Sequence, residues 1–354
     1  MDSYVKRLRP GLLRLQIDKF VGTIAYFMGK PTTAILLISI AFARSRHLVY
    51  ARSSNETNPI KQKGYAVYRL DSKTYDKELN GAVSVAHLAG SMMLRYYDLD
   101  YEVSTKAGNT PAAAIVTEVD VTIDHMVRDY FTKVWPDDQL LTEETDPDAD
   151  WYRAQRIWTI DPIDGTMGYA RRTGSFGVSI ALIEEGRPVV GVLYAPARNL
   201  LAWAVAGEGA SLNGIHVDLS NRTSTNTIVI SSNSIDLPAY QDALQALNPD
   251  GRLAVTATES VVVKALRILK GDGEIYPILP ASRTGNATSK FWDVAGADII
   301  LHEADARVTD FAGQRYRYDR PEFRCLEGVL MGTKAGHRYA LTRLGQSAEV
   351  NIPS

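Results

Sequence analysis

Apolar residues recur at three- and four-residue spacing from Tyr75 to Tyr97, which brings Leu79, Val83, Ala86, Ala89 and Met93 onto one face. This predicts an amphipathic helix opening a globular body. After a short apolar stretch at Ala113–Val116, a second helical pattern runs from Val121 to Val134. Arg156–Ile160 reads as a short apolar strand that runs into Asp161. Gly177–Ile183 and Val189–Tyr194 flank the turn Glu184-Glu185-Gly186-Arg187, a hairpin signature. Farther on, Ile228–Ser231 predicts a strand and Ala239–Leu247 a short helix. Val261–Leu269 predicts a helix that stops at Gly271-Asp272-Gly273, Asp293–Ala304 another helix, and Arg307–Asp310 a strand. Strands and helices mixed in this way, without a regular βαβ rhythm, predict a layered α/β–α+β architecture.

Upstream the pattern changes. Phe20–Ala43 is an apolar segment of twenty-four residues with arginines and lysines on both sides. As a helix it would reach about 36 Å, enough to cross a bilayer core. Lys30-Pro31 interrupts it, however, and a lysine at the centre of a bilayer costs roughly 3 kcal/mol while proline breaks the hydrogen-bond ladder. Three readings stand: a helix packed on the body or an irregular extension, an arginine-rich organelle-targeting segment, and a membrane anchor. Arg52–Lys63 is polar, contains Pro59 and reads as a linker.

The chain has 354 residues, of which 45% are hydrophobic, a length suited to two domains and a content that builds a sizeable core. Its single cysteine, Cys325, rules out an internal disulfide and a thiolate zinc site. Charge separates the regions: residues 1–73 carry a net of +9 and the rest a net of −11. The expected organisation is a basic extension and linker (1–73), an N-terminal α+β domain holding metal and phosphate (74–217), and a C-terminal α/β domain (218–354), with the boundary near Asn213–Thr225. An acidic body is a poor nucleic-acid binder, because phosphate backbones are held by stripes of Lys and Arg.

Acidic residues gather at the ends of apolar segments in four places: Glu118 and Asp120, Glu143-Glu144, Asp161-Pro162-Ile163-Asp164-Gly165-Thr166, and Asp293 after Trp292. In the third, two aspartates separated by a proline-fixed turn can aim at one point. Gly165 lets backbone approach an anion, and Thr166 adds a hydroxyl. Taken alone, the motif reads first as a β-turn with Asp as turn former. Four such clusters favour another reading, since converging carboxylates repel one another unless divalent cations neutralise them. All-oxygen ligation selects Mg²⁺, Ca²⁺ or Mn²⁺.

At these residues the chain resembles the inositol monophosphatase superfamily of Mg²⁺-dependent, lithium-sensitive phosphatases. The matching segments are Ile115–Asp120, Thr142–Thr145, Trp158–Thr166 and Phe291–Ile300. The resemblance implies the layered αβαβα sandwich of that superfamily and two or three Mg²⁺ ions. It implies Glu143, Asp161, Asp164, the Ile163 carbonyl and Asp293 as metal ligands, with Glu144 behind them. Asp120 and Thr166 would orient and deprotonate the attacking water; Gly165, Thr166 and Asp293 would also touch substrate. Within the superfamily the chain is most similar to 3'(2'),5'-bisphosphate nucleotidases, through Gly168-Tyr169-Ala170-Arg171 and the run from Lys264 to Asp293. This adds Lys264 as a phosphate contact and Ser260 as a nucleotide contact; an exposed helix lysine is the alternative for Lys264.

Four departures bear on the substrate. Ile278 stands where those nucleotidases have arginine, no histidine lies near Ser231–Ser234, Met167 replaces a lysine, and Glu303-Ala304-Asp305-Ala306 replaces a glycine-rich turn. The expected function is hydrolysis of the 3'-phosphate of adenosine 3',5'-bisphosphate and its sulfated analogue. The alternatives are an inositol, sugar or pathway-specific phosphate monoesterase and a catalytically silent binding protein. The expected partner is a small phosphorylated molecule, with no nucleic acid, with membrane contact through residues 20–43 as an option, and with the oligomeric state, monomer or homodimer, open. The expected location is intracellular and cytoplasmic, with organelle targeting or membrane association through residues 1–50 as the alternatives.

Overall fold

In a computed structural model, residues 48–52, 65–69, 72–97, 103–105, 115–285 and 289–345 are described. The apolar segment Phe20–Ala43 and its three readings lie outside the described residues, as does most of the linker stretch. Among the described residues no helix is long and apolar enough to cross a membrane.

Two antiparallel strand pairs lie on either side of the first helix in the chain: β1 (Leu48–Arg52) with β2 (Tyr65–Arg69), and β3 (Val103–Thr105) with β4 (Ile115–Thr117). The helix between them is α1 (Asp76–Tyr96), and α2 (Glu118–Val134) follows β4 directly. A seven-stranded sheet comes next: β5 (Gln139–Thr142), β6 (Arg156–Asp164), β7 (Gly177–Glu184), β8 (Arg187–Ala195), β9 (Leu200–Val205), β10 (Gly209–Leu212) and β11 (Ile215–Val217). Chain neighbours are sheet neighbours throughout. β5 and β6 run parallel; the remaining pairs are antiparallel. A short helix, α3 (Thr166–Ala170), separates β6 from β7.

The second sheet has five strands: β12 (Thr227–Ser231), β13 (Ala254–Thr258), β14 (Ile275–Ile278), β15 (Arg307–Thr309) and β16 (Val329–Gly332), in the order β13-β12-β14-β16-β15. Its helices are α4 (Pro238–Leu247), α5 (Val261–Lys270), α6 (Ala281–Thr284), α7 (Phe291–Glu303) and α8 (Lys334–Gly345).

Strand alternation fixes the layers. On β8, Tyr194 meets Gly90 of α1, whereas Gly191 meets Gly296 and Ile299 of α7. Positions three apart on a strand face opposite ways, so α1 and α7 cover opposite faces. On β12, Ile228 and Ile230 pack with Tyr240 and Leu247 of α4 and Ala340 and Leu344 of α8. Val229 between them joins the cluster that holds Val262, Leu266 and Val294 of α5 and α7. The result is an αβαβα sandwich. Helix α7 lies between the two sheets and is apolar nearly all round, with Phe291, Trp292, Val294 to Ile300 and Leu301 buried, as a helix without a solvent face must be.

The main difference from the sequence reading is in β6. Its apolar run suggests an end at Ile160, with Asp161 opening a turn. The strand instead runs through Asp161-Pro162-Ile163-Asp164 and bulges there against β7: Asp161 pairs with Ser179 and Asp164 with Gly177. Two residues of β6 therefore oppose one of β7. A bulge tolerates Pro162, which has no N–H to give the ladder, and re-aims the side chains around it.

Candidate active site

The bulge sets the first two acids. Asp161 is 2% exposed, and its Oδ1 is enclosed without a hydrogen-bond partner. Because β5 runs parallel to β6, its C-terminal end delivers Glu143 to the same edge, where the Glu143 N–H donates to Ile160 O at 3.3 Å. Asp293 arrives from the first turn of α7, its Oδ2 accepting the Lys290 N–H at 2.7 Å. Oxygen atoms of Glu143, Asp161 and Asp293 all lie within 4.8 Å of one another. Lys290 Nζ is 3.2 Å from Glu143 Oε1.

A fourth acid stands beside them. Thr117 caps α2, and Asp120, at the third helical position, closes the reciprocal bond: the Thr117 N–H donates to Asp120 Oδ2 at 2.8 Å. The other oxygen, Oδ1, accepts from Thr166 Oγ at 3.0 Å. The same Thr166 hydroxyl lies 3.1 Å from Ile163 O, so one proton has two acceptors to choose between.

These carboxyls resist ionisation. Burial, then the charges of Glu143, Asp164 and Asp293, raise Asp161 well above the ordinary carboxylate range. Burial and Glu143 push Asp293 up to about 7 against the pull of Lys290. Burial lifts Asp120 to about 6, although Thr117 and Thr166 stabilise its anion. An enclosed oxygen with no donor, set among acids that cannot all ionise, fits a hard divalent cation, and an all-oxygen donor set suits Mg²⁺.

The structure thus brings Asp120, Glu143, Asp161, Ile163, Thr166 and Asp293 to one place. Asp164, whose charge is felt at Asp161 and Asp293, stands beside them, and it, Ser260 and Lys264 have further partners. Asp164 is clasped by the N-terminus of α5: Val261 N–H donates to Oδ1 at 3.1 Å, Val262 N–H to Oδ2 at 2.6 Å, and Ser260 Oγ to Oδ2. Ser260 is wholly buried as the cap of that helix, its Oγ also accepting the Val263 N–H at 3.0 Å. Lys264 is 0% exposed, and its Nζ donates to Thr258 O at 3.0 Å and Glu259 O at 2.8 Å. Burial lowers its pKa to about 8. It is thus not an exposed helix lysine; it braces the loop that carries Ser260, near enough to Asp164 and Asp293 to feel their charge. Gly165 has φ +85°, and a Cβ there would lie 2.6 Å from Ser175 O. Glycine is needed for both the left-handed backbone and the close approach.

Ser175 was not visible as a site-shaping residue. Its Oγ accepts from the N–H groups of Glu259 and Ser260 at 3.1 and 3.2 Å, which fixes the entrance to α5. No motif surrounds it; only the tertiary fold brings it there. Among the substrate departures, Ile278 is 5% exposed and sits in the core between the sheets. Asp305 adopts φ +65°, and Lys334 Nζ pairs with it at 2.6 Å, so the extra charge of that turn is matched. Tyr169 of Gly168-Tyr169-Ala170-Arg171 is fully buried and donates to Met93 O at 2.8 Å, while Arg171 is exposed.

A profile of the inositol monophosphatase family matches residues 74–347. The chain is 29% identical over 247 residues to the 3'(2'),5'-bisphosphate nucleotidase CysQ of Escherichia coli K12, covering 68% of this chain and 93% of CysQ. It is 27% identical over 237 residues to a fructose-1,6-bisphosphatase/inositol-1-monophosphatase of Thermotoga maritima, covering 67% and 86%. The fold is similar to a crystal structure of an IMPase/NADP phosphatase complexed with Mg²⁺ and phosphate, with a TM-score of 0.63, 21% identity, and coverage of 79% of this chain and 97% of that one.

Proposed function

Since the chain belongs to the inositol monophosphatase family, we propose that it is a phosphatase that hydrolyses the 3'-phosphate of adenosine 3',5'-bisphosphate, and of its sulfated analogue, with Mg²⁺. The observation that carries the hydrolytic reading is the meeting of Glu143, Asp161 and Asp293 oxygens within 4.8 Å beside the Asp120–Thr166 pair. The likeness to CysQ supports the nucleotide. Against it stands Ile278, buried where an anion-binding arginine is expected, and this favours the second reading, a sugar or inositol phosphate. A silent binding protein would need neither the orphaned oxygen nor the proton-accepting pair.

Glu143, Asp161, Asp164, Asp293 and the Ile163 carbonyl would hold the cations, with Asp164 also anchoring the loop to α5. Mg²⁺ bound there supplies Lewis acidity and charge neutralisation at a phosphoryl oxygen. The chain's own part is proton handling. Thr166 gives its hydrogen to Asp120 Oδ1, which leaves a lone pair on Oγ to accept a proton from the attacking water. Asp120, near 6, is ionised at neutral pH and basic enough to keep the Thr166 hydroxyl turned toward it. When it is protonated, the hydroxyl turns to Ile163 O and the water loses its guide.

Phosphate release from adenosine 3',5'-bisphosphate, inositol 1-phosphate and fructose 1,6-bisphosphate, each with Mg²⁺ and with EDTA added, tests this. Chelator-sensitive turnover led by the nucleotide is expected. Preference for either other substrate assigns the second reading, and no turnover of any of them removes the hydrolytic one.

A further inference from the structure

The carboxylate cluster carries a cation of its own. Lys290 Nζ stands 3.2 Å from Glu143 Oε1 and 4.9 Å from the ring centre of Trp292, whose indole is held by stacking on Phe323 at 5.2 Å. The Lys290 N–H binds Asp293 Oδ2 at 2.7 Å. One residue therefore engages two of the three acids, one through backbone and one through side chain. The backbone bond belongs to the first turn of α7 and is fixed. The side chain, 29% exposed, is a flexible stem with a compact charge that can withdraw along the Trp292 face without breaking the helix.

We propose that Lys290 is a tethered cation that competes with the divalent metal for Glu143 and so sets how tightly the site takes up metal. The inference rests on the reading of Glu143, Asp161 and Asp293 as the metal site. Without metal, the ammonium offsets part of the mutual repulsion of the acids. A cation that enters must take Glu143 Oε1 from it, and the displaced charge, still tied to α7, opposes the newcomer. Metal affinity is therefore weaker than the three carboxylates alone would give.

The full chain, its K290Q and K290M variants and the charge-keeping K290R variant are titrated with Mg²⁺ by calorimetry and melted in EDTA and in saturating Mg²⁺. The two neutral variants are expected to bind Mg²⁺ about three- to tenfold tighter, with K290R near wild type. In EDTA the neutral variants are expected to melt below wild type, and in Mg²⁺ the gap closes. Unchanged or weaker Mg²⁺ affinity in both neutral variants overturns the proposal, as does an equal melting gap with and without metal, which is the mark of a structural role. Absence of Mg²⁺ binding by wild type overturns the underlying metal site as well. Binding with the stated shift but no phosphate release overturns the hydrolytic reading and leaves Lys290 as assigned.

Discussion

Single atoms decide most of what this site can do. Burial and the neighbouring acids Glu143, Asp164, Asp293 and Glu144 favour the protonated form of Asp161 when no metal is present. An amide imitates that neutral form. Asp161→Asn is therefore expected to leave the metal-free melting temperature within about 2 °C of wild type, while abolishing turnover and the stabilisation by Mg²⁺. Thermal melts with and without Mg²⁺, beside a phosphate-release assay, check this; a large loss of metal-free stability would show that the carboxylate is structural. Thr166 differs in the proposed mechanism, where its hydroxyl, shared between Asp120 Oδ1 and Ile163 O, would orient the attacking water. Thr166→Ala is expected to lower kcat about 100-fold with KM changed by less than about threefold. Steady-state kinetics on the preferred substrate separates the two parameters, and an effect confined to KM contradicts the role given to Thr166.

At the level of elements, the tie between β6 and α5 is the joint that gives the site its shape. Ser260 closes it by capping the helix and donating to Asp164. Ser260→Ala is expected to cost about 1 kcal/mol, a fall of about 2–4 °C in melting temperature, which differential scanning calorimetry reads directly. How far such joints can be read from sequence differs from element to element. Helix α1 was legible because Leu79, Val83, Ala86, Ala89 and Met93 keep a clean period. The acids were legible because they stand at the ends of apolar segments in a recognisable order. β9 to β11 were not legible, because Leu200–Val205 is alanine-rich and Gly209–Leu212 is short and mixed. Nor was α8, where polar residues dilute the period. Lys264 is ambiguous for a related reason: a lysine in a helical pattern suggests solvent or ligand, and only the packed fold excludes solvent by closing two carbonyls over it.

For the molecule as a whole, the proposed metal binding would compete with proton binding. Asp120 near 6 and Asp293 near 7 lie above the ordinary 3.8, so the folded metal-free protein holds their protons more tightly than the unfolded chain. Their stabilising contribution is full below about pH 4 and is lost as pH rises through 6 and 7. His87 and His337, lowered by burial to about 4 from 6.5, act in the opposite sense. Their contribution is present above 6.5 and is lost as pH falls toward 4. Neither histidine is among the residues that would hold the metal, whereas the acids must give up protons to bind a cation. The gain in melting temperature from Mg²⁺ is therefore expected to grow steadily from pH 5 to pH 8; a gain that is flat or falls with pH argues that the acids are already ionised. The crossing of α7 over β8 has a different kind of consequence. Gly191 lies where strand and helix touch: a Cβ there would run into Ile299 and meet the Gly296 carbonyl at 2.9 Å, while one at Gly296 would crowd Ser179 at 3.0 Å and Leu193 at 3.2 Å. Over generations the acids can be exchanged at the loss of an activity alone, whereas a side chain at Gly191 would push helix and strand apart. Drift in this lineage is thus freer to alter what the pocket accepts than to alter the layer that carries it.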